Sequence, residues 1–192
     1  MDRFLSPDSK FSAAMMMAAD LVILNVLAVV CSLPIVSLGA VHRSLHQVTR
    51  EMAQDNAVRP IRDFFAAMGK YPARMVAWSC VMVGFVLLAT YEFVVIARAG
   101  LATGETVALS AAVLSGIVLI TAVALWYLRV LSVPEALGNA IRQLPRTLLA
   151  VLAHTWWVLV LLFLPGQWGA VLAFQLIIGF ALSAYLSNLA LR

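Results

Sequence analysis

Charge is what this sequence has least of. Asp, Glu, Lys and Arg make up 11% of its 192 residues, against roughly 25% in an ordinary soluble domain. A chain that is 64% hydrophobic cannot cover itself in water with so few charges, so an ordinary water-soluble fold is excluded. Cysteine is scarce too. Cys31 and Cys80 stand in separate apolar stretches without metal-ligand spacing, and they read as small buried thiols with no disulfide. The chemistry-bearing patterns are also missing. His42 and His46 have the i, i+4 spacing of a helical chelate, but no acidic residue stands beside them in the HExxH manner, and they read as a solvated helix face near lipid headgroups. No nucleophile–base pair is visible, so no catalytic, cofactor or metal site is expected and the chain reads as non-enzymatic. The net charge of +4 is spread over connecting segments rather than over one basic face, which argues against nucleic acid as a partner. A cleavable signal peptide is not expected either: the first apolar run is too long, and Asp20 interrupts it.

What is present is apolar length. A bilayer core takes about 20 apolar residues in a helix, and five runs qualify, at about 11–38, 75–97, 106–127, 147–164 and 169–190. Residues 11–20 either begin the first span or lie along the membrane surface. The last two runs share a stretch from Thr147 to Leu191 without a single charge, too long for one helix, and "LPGQWG" (Leu164 to Gly169) supplies a turn in its middle. The expected architecture is an all-α integral membrane protein, a single membrane domain over 1–192.

Lys and Arg set its orientation. Arg43, Arg50, Arg59, Arg62, Lys70, Arg74, Arg129, Arg142, Arg146 and Arg192 fall on one side of the spans; Arg3, Lys10 and Arg98 fall on the other. The richer side is expected to be cytoplasmic, with the N-terminus outside and the C-terminus inside. Two short amphipathic helices are expected on that cytoplasmic side, at about 60–69 and 133–144. In the first, Ile61, Phe64, Phe65 and Met68 recur at helical spacing, with Pro60 in the first turn and Gly69 at the end; Phe64 and Phe65 are its anchors in the headgroup layer. In the second, Leu137, Ile141 and Leu144 form the stripe, and Ser132 and Glu135 have capping-box spacing. Each helix ends near a proline and an arginine (Pro72 and Arg74, Pro145 and Arg146), which suggests an internal repeat of span, interfacial helix and span.

The first span carries a breaker. Pro34 removes a backbone hydrogen bond, so the helix should kink or end near Leu33, and the freed carbonyls need partners such as Ser32 and Ser37. Asn25, Ser32 and Gly39 fall seven apart and should share a small, polar face turned into the bundle. That face is either a packing kink or the lining of a substrate cavity in a discontinuous helix. With Asp20, which lies about ten residues deep if the helix begins near Phe11, these residues and Pro34 form the candidate functional face. Glu92 lies nearer an end of its span, where it can reach water. His154, beside Trp156 and Trp157, reads as a neutral interhelical hydrogen-bonding group. Gln175, Gly179, Ser183 and Ser187 form a ridge that suits internal packing or a partner helix, a second copy of the chain included.

"DLVILNVLAVVCSLPIVSLGA" (Asp20 to Ala40) resembles the opening signature of the YesL-like bacterial membrane proteins, at Asp20, Asn25, Pro34, Ile35, Val36, Gly39 and Ala40. "RDFFAAMGK" (Arg62 to Lys70) and "NAIRQLPRTLL" (Asn139 to Leu149) are similar to that family's two interfacial segments. The resemblance implies a multi-pass protein of the bacterial cytoplasmic membrane in the company of carbohydrate ABC uptake systems, and it brings no catalytic residues. The expected function is that of a non-enzymatic accessory or assembly partner of a carbohydrate ABC permease in the lipid bilayer. The alternative is a small transporter or channel in its own right, using the kinked first span.

Overall fold

A computed structural model describes residues 10–192, with the side chains of Lys10, Leu162, Phe163 and Pro165 left aside; Arg3, counted above in the charge bias, lies outside the described residues. Every regular element among them is helical: α1 (Lys10–Cys31), α2 (Leu38–Ala53), α3 (Pro60–Met68), α4 (Pro72–Arg98), α5 (Thr103–Val130), α6 (Val133–Arg142), α7 (Leu144–Phe163), α8 (Trp168–Phe174) and α9 (Phe180–Ala190). A π-helical segment, Gln175–Gly179, joins α8 to α9, so the last three form one continuous rod. Five stretches are long and apolar enough to cross a membrane: Phe11–Cys31, Pro72–Arg98, Thr103–Val130, Leu144–Leu161 and Trp168–Ala190. The protein is an all-α membrane protein.

The first span stops earlier than the expected Leu38. α1 ends at Cys31, and a single 3-10 turn, Ile35–Ser37, follows Pro34. The released carbonyls are met locally. The Leu33 amide donates to the Val30 carbonyl at 3.3 Å and Ser37 Oγ reaches the carbonyls of Cys31 and Pro34, while Ser32 Oγ adds a bond at 2.6 Å to the Ala28 carbonyl, which already takes the Ser32 amide. An unpaired carbonyl in an apolar medium costs several kcal/mol, so Ser37 and the 3-10 bond of Leu33 let a proline stand where it does.

The main departure from the sequence reading is α2. Its residues include Arg43, Arg50 and two histidines, yet it does not lie on a solvated surface. It runs among α1, α3, α4, α5 and α9, and Gly39, Val41, Ser44, Leu45, His46, Val48, Thr49 and Ala53 are all buried. Gly39 is where it meets α4. The Gly39 amide, one of the unpaired N–H groups at the start of a helix, donates to Ser79 Oγ at 2.7 Å. Ser79 Oγ stands in turn 3.1 Å from the Val36 carbonyl and 3.0 Å from the Met75 carbonyl, either of which can take its one proton.

Two apolar clusters flank α2. One draws on α1, α2, α3 and α9 around Leu24, Leu45, Phe64 and Ala184; the other on α4, α5, α6 and α7 around Met75, Leu125, Trp126 and Ala140. Both lie toward the end of the bundle at which α3 and α6 sit, here the basic end. Phe64 is therefore a core residue, fully buried, and not a headgroup anchor; Phe65 alone faces out, edge-on to it at 5.7 Å. In α6 the buried face is Ala136 and Ala140, which leaves Val133, Leu137 and Ile141 projecting outward as an apolar stripe; Leu144, exposed as well, opens α7. Ser132 caps α6 with its backbone carbonyl only, to the Ala136 amide; the spacing Ser132–Glu135 does not produce a side-chain cap. Cys31 is half-buried, and Cys80 is exposed on the outer face of α4, so only bilayer and not protein covers that thiol.

At Gly39 a Cβ would run into the Met75 carbonyl oxygen and crowd Ser79 Oγ at 2.9 Å, whereas at Gly84, on the outer part of α4, it would meet nothing within 4 Å. Gly39→Ala should destabilise the protein by about 1–3 kcal/mol, the usual cost of overpacking, and Gly84→Ala should be neutral or gain up to about 1 kcal/mol from helix propensity. Thermal unfolding of the two variants in one detergent checks this, and equal melting temperatures would remove the close approach as a constraint.

Candidate functional site

Gly39 does not lie on the face of Asn25 and Ser32. The break at Pro34 ends the helical register between Ser32 and Gly39, and each of the three engages a different neighbour: Asn25 the last span, Ser32 its own helix, Gly39 the α4 helix. Asp20 is half-buried on α1 and makes no hydrogen bond to a described residue, and Glu92 is exposed in the cleft between α4 and α5. The candidate face of the sequence is thus dispersed.

Asn25 has the most demanding task. A π-helical segment carries an extra residue in the turn and misaligns the regular i→i−4 bonds. Asn25 is fully buried against this segment. Its Nδ2 donates to the Gln175 carbonyl at 3.0 Å and the Leu176 carbonyl at 2.7 Å, and its Oδ1 accepts from the Ala181 amide at 2.9 Å. One side-chain amide thereby satisfies both sides of the irregularity and ties α1 to the last span. The Gln175 side chain folds over Gly179, which has room for it only because it has no Cβ. The ridge of Gln175, Gly179, Ser183 and Ser187 is buried throughout and faces the inside of the bundle. It serves internal packing.

A second polar knot lies between α2, α5, α7 and α9. Asn188, on α9, is buried; its Nδ2 donates to the His46 carbonyl at 2.9 Å and to Thr49 Oγ1 at 3.0 Å. On its other side Arg129 reaches in from α5. The guanidinium donates to Asn188 Oδ1 at 2.8 Å, to the Asn188 carbonyl at 3.3 Å and to the Leu191 carbonyl at 3.0 Å. These carbonyls end the last helix, where unpaired acceptors and the negative end of the helix dipole favour a cation. Arg129 is thus a helix cap, not a loop charge. Sequence reading missed both residues. The signal was there for Asn188, the one side-chain amide in "FALSAYLSNLA", the uncharged helix that ends the last span.

Above this knot three imidazoles converge. His42 and His46 stand one turn apart on α2, and His154 comes from α7. The ring centroids are 4.8, 5.4 and 5.5 Å apart, His42 and His154 lie nearly parallel, and one ring nitrogen of each lies within 4.8 Å of those of the other two. His42 and His46 are not on a solvated face. His46 is 5% exposed, and burial holds its pKa well below the ordinary 6.5, helped by the neighbouring His42, His154 and Arg129; burial brings His42 down to about 4. Both are neutral at pH 7. His154 joins them rather than standing alone in its span, a non-local convergence that no spacing in the sequence announces.

Comparison of the chain with protein-family models, curated proteins and solved structures returns no match.

Asn25→Leu should leave the Ala181 amide and two carbonyls without a side-chain partner. At about 1–3 kcal/mol for an unsatisfied buried group, the melting temperature should fall by roughly 2–12 °C, with insertion unchanged. Asn25→Asp, which sets a buried carboxyl against those two carbonyls, should be no more stable than Asn25→Leu. A melting temperature equal to wild type for Asn25→Leu would show that the π segment does not depend on this amide.

Proposed function

We propose that the protein is a non-enzymatic accessory of another multi-pass protein in a bacterial cytoplasmic membrane, with a carbohydrate ABC uptake permease as the partner. The observation that carries the docking part is the α4–α5 pair. Beyond Ser79 on α4, and before Ala122 on α5, the pair buries only Ala89. Between the two helices runs a cleft bounded by Phe85 to Glu92 on one side and Ala112 to Ile117 on the other. A carboxylate in a membrane span costs a few kcal/mol at depth and less toward its ends. A cationic residue on a neighbouring helix would offset that cost, and Ala89, Ala112 and Gly116 would let such a helix approach closely. The sugar-uptake part rests on the resemblance to the YesL-like proteins.

The accompanying topology has the N-terminus outside and the C-terminus in the cytoplasm, from the bias of Lys and Arg. The outward apolar stripes of α6 (Val133, Leu137, Ile141) and α3 (Ile61, Phe65) suit a headgroup layer on that side. The alternative, a transporter using the first span, needs a water path at Pro34. The full burial of Asn25 and the contact of Gly39 with α4 favour a packing kink there.

Cross-linking and mild-detergent purification from native membranes should recover an ABC permease subunit with the wild type, and about tenfold less with Glu92→Gln, the equivalent of 1.4 kcal/mol. Equal recovery with the variant would take the cleft out of the interface. No permease with the wild type, together with solute flux in liposomes, would favour the transporter.

Topology is tested separately in a Cys31→Ala, Cys80→Ala background. Cysteine substituted for Asn56 should be labelled only from the cytoplasm, and cysteine substituted for Thr103 only from outside. Labelling of both from one side would sink the five-span orientation.

A further inference from the structure

We propose that His42, His46 and His154 bind one divalent transition-metal ion of the zinc kind, and so clamp α2 to α7. Three independent features point to it. The rings converge from two helices so that one nitrogen of each lies within 4.8 Å of the others. Nitrogens bound at about 2.1 Å in a tetrahedral site lie roughly 3.4 Å apart, so closing the site takes a movement of about 1 Å, within reach of small side-chain rotations. The second feature is an unpaid debt of hydrogen bonds. His42 Nε2, His46 Nε2 and His154 Nδ1 are buried atoms with no hydrogen-bond partner among the described residues. A buried polar nitrogen left unmet is costly, and three within one small volume are met together by a single Lewis acid. The third is the donor set itself. Three neutral imidazoles without thiolate or carboxylate suit zinc-like borderline ions and not Mg2+ or Ca2+, which want oxygen.

The surroundings are compatible with such an ion. Asn188 Nδ2 stands 3.4 Å from His46 Nδ1, but its two protons are already committed to the His46 carbonyl and Thr49 Oγ1, so this approach does not fix the His46 tautomer. Arg129, the nearby cation, is engaged with carbonyls at the end of α9, where the helix dipole opposes its charge. With three protein ligands the fourth position is open, and a water or small anion completes it. His42 and His154 are only partly buried, which leaves a way in for the ion. The role is structural: α2 is a polar helix between apolar spans, and a metal bridge to α7 fixes its position.

The test uses the full chain carrying a tag without histidines, purified in detergent and stripped with a chelator. Dialysis against Zn2+ should load about one equivalent per chain and raise the melting temperature, since a ligand that binds only the folded form stabilises it. Co2+ in its place should give the intense visible bands of a tetrahedral nitrogen site. His154→Ala should lose the bound equivalent, the thermal shift and the bands together. Wild-type protein that takes up no metal and shows no thermal shift overturns the proposal. So does full retention of the metal by His154→Ala. Should that variant fail to fold, the wild-type cobalt spectrum decides alone, and weak octahedral bands would count against the site.

Discussion

A helix as polar as α2 can be buried among apolar spans only if its side chains and its helix start are met from outside itself. In this bundle the partners come from nearly every neighbour. Ser79 of α4 takes the Gly39 amide, Asn188 of α9 takes the His46 carbonyl and Thr49, and His154 of α7 comes up against His42 and His46. Helices in lipid have little hydrophobic reason to associate with each other, since the lipid tails are equally apolar; close packing and interhelical hydrogen bonds hold them together. The polar groups that make α2 an awkward guest are also what hold the basic end of the bundle in one arrangement.

The last span is the second organising element. Its π segment would be a defect in an isolated helix, but Asn25 fits the misaligned amide and carbonyls. The ridge of Gln175, Gly179, Ser183 and Ser187 is spent on internal packing. Trp156 adds a hydrogen bond from α7, with its Nε1 donating to Ser183 Oγ at 3.1 Å. At the far end Arg129 occupies the carbonyls that no further turn of helix can satisfy. Irregular backbone is thus met by a specific side chain from another helix, as it must be where water is absent.

Packing is uneven along the molecule. The basic end holds both apolar clusters and the knot of Asn188 and Arg129, and Asn25 ties the first and last spans together farther along, while the outer parts of α4 and α5 bury almost nothing against the rest of the chain. A pair of spans with an open cleft and a carboxylate in it is suited to receiving something. The tightly tied end supplies the rigidity against which such a partner would be held. The accessory reading and the metal clamp concern different ends of the molecule and stand or fall separately.

The spans themselves were legible in the sequence because apolar length and charge scarcity are local properties, as are the breaks at Pro34 and Leu164–Gly169 and the short helices announced by Pro60 and by the spacing of Leu137 and Ile141. Burial of Phe64 was only half legible: helical spacing puts it on an apolar face, but cannot say whether lipid or protein covers that face. The polar sites were not legible. The seven-residue spacing of Asn25, Ser32 and Gly39 assumed one continuous helix, and the break at Pro34 cancelled it for Gly39. His42 and His46 carry the pattern of a solvated helix because an amphipathic pattern records polarity, not what meets it. Only the tertiary structure could bring His154 to them, Asn188 to His46 and Arg129 to Asn188. Those partners lie between 59 and 142 residues apart in the chain for the hydrogen-bonded pairs, and nothing in local periodicity carries information over that distance.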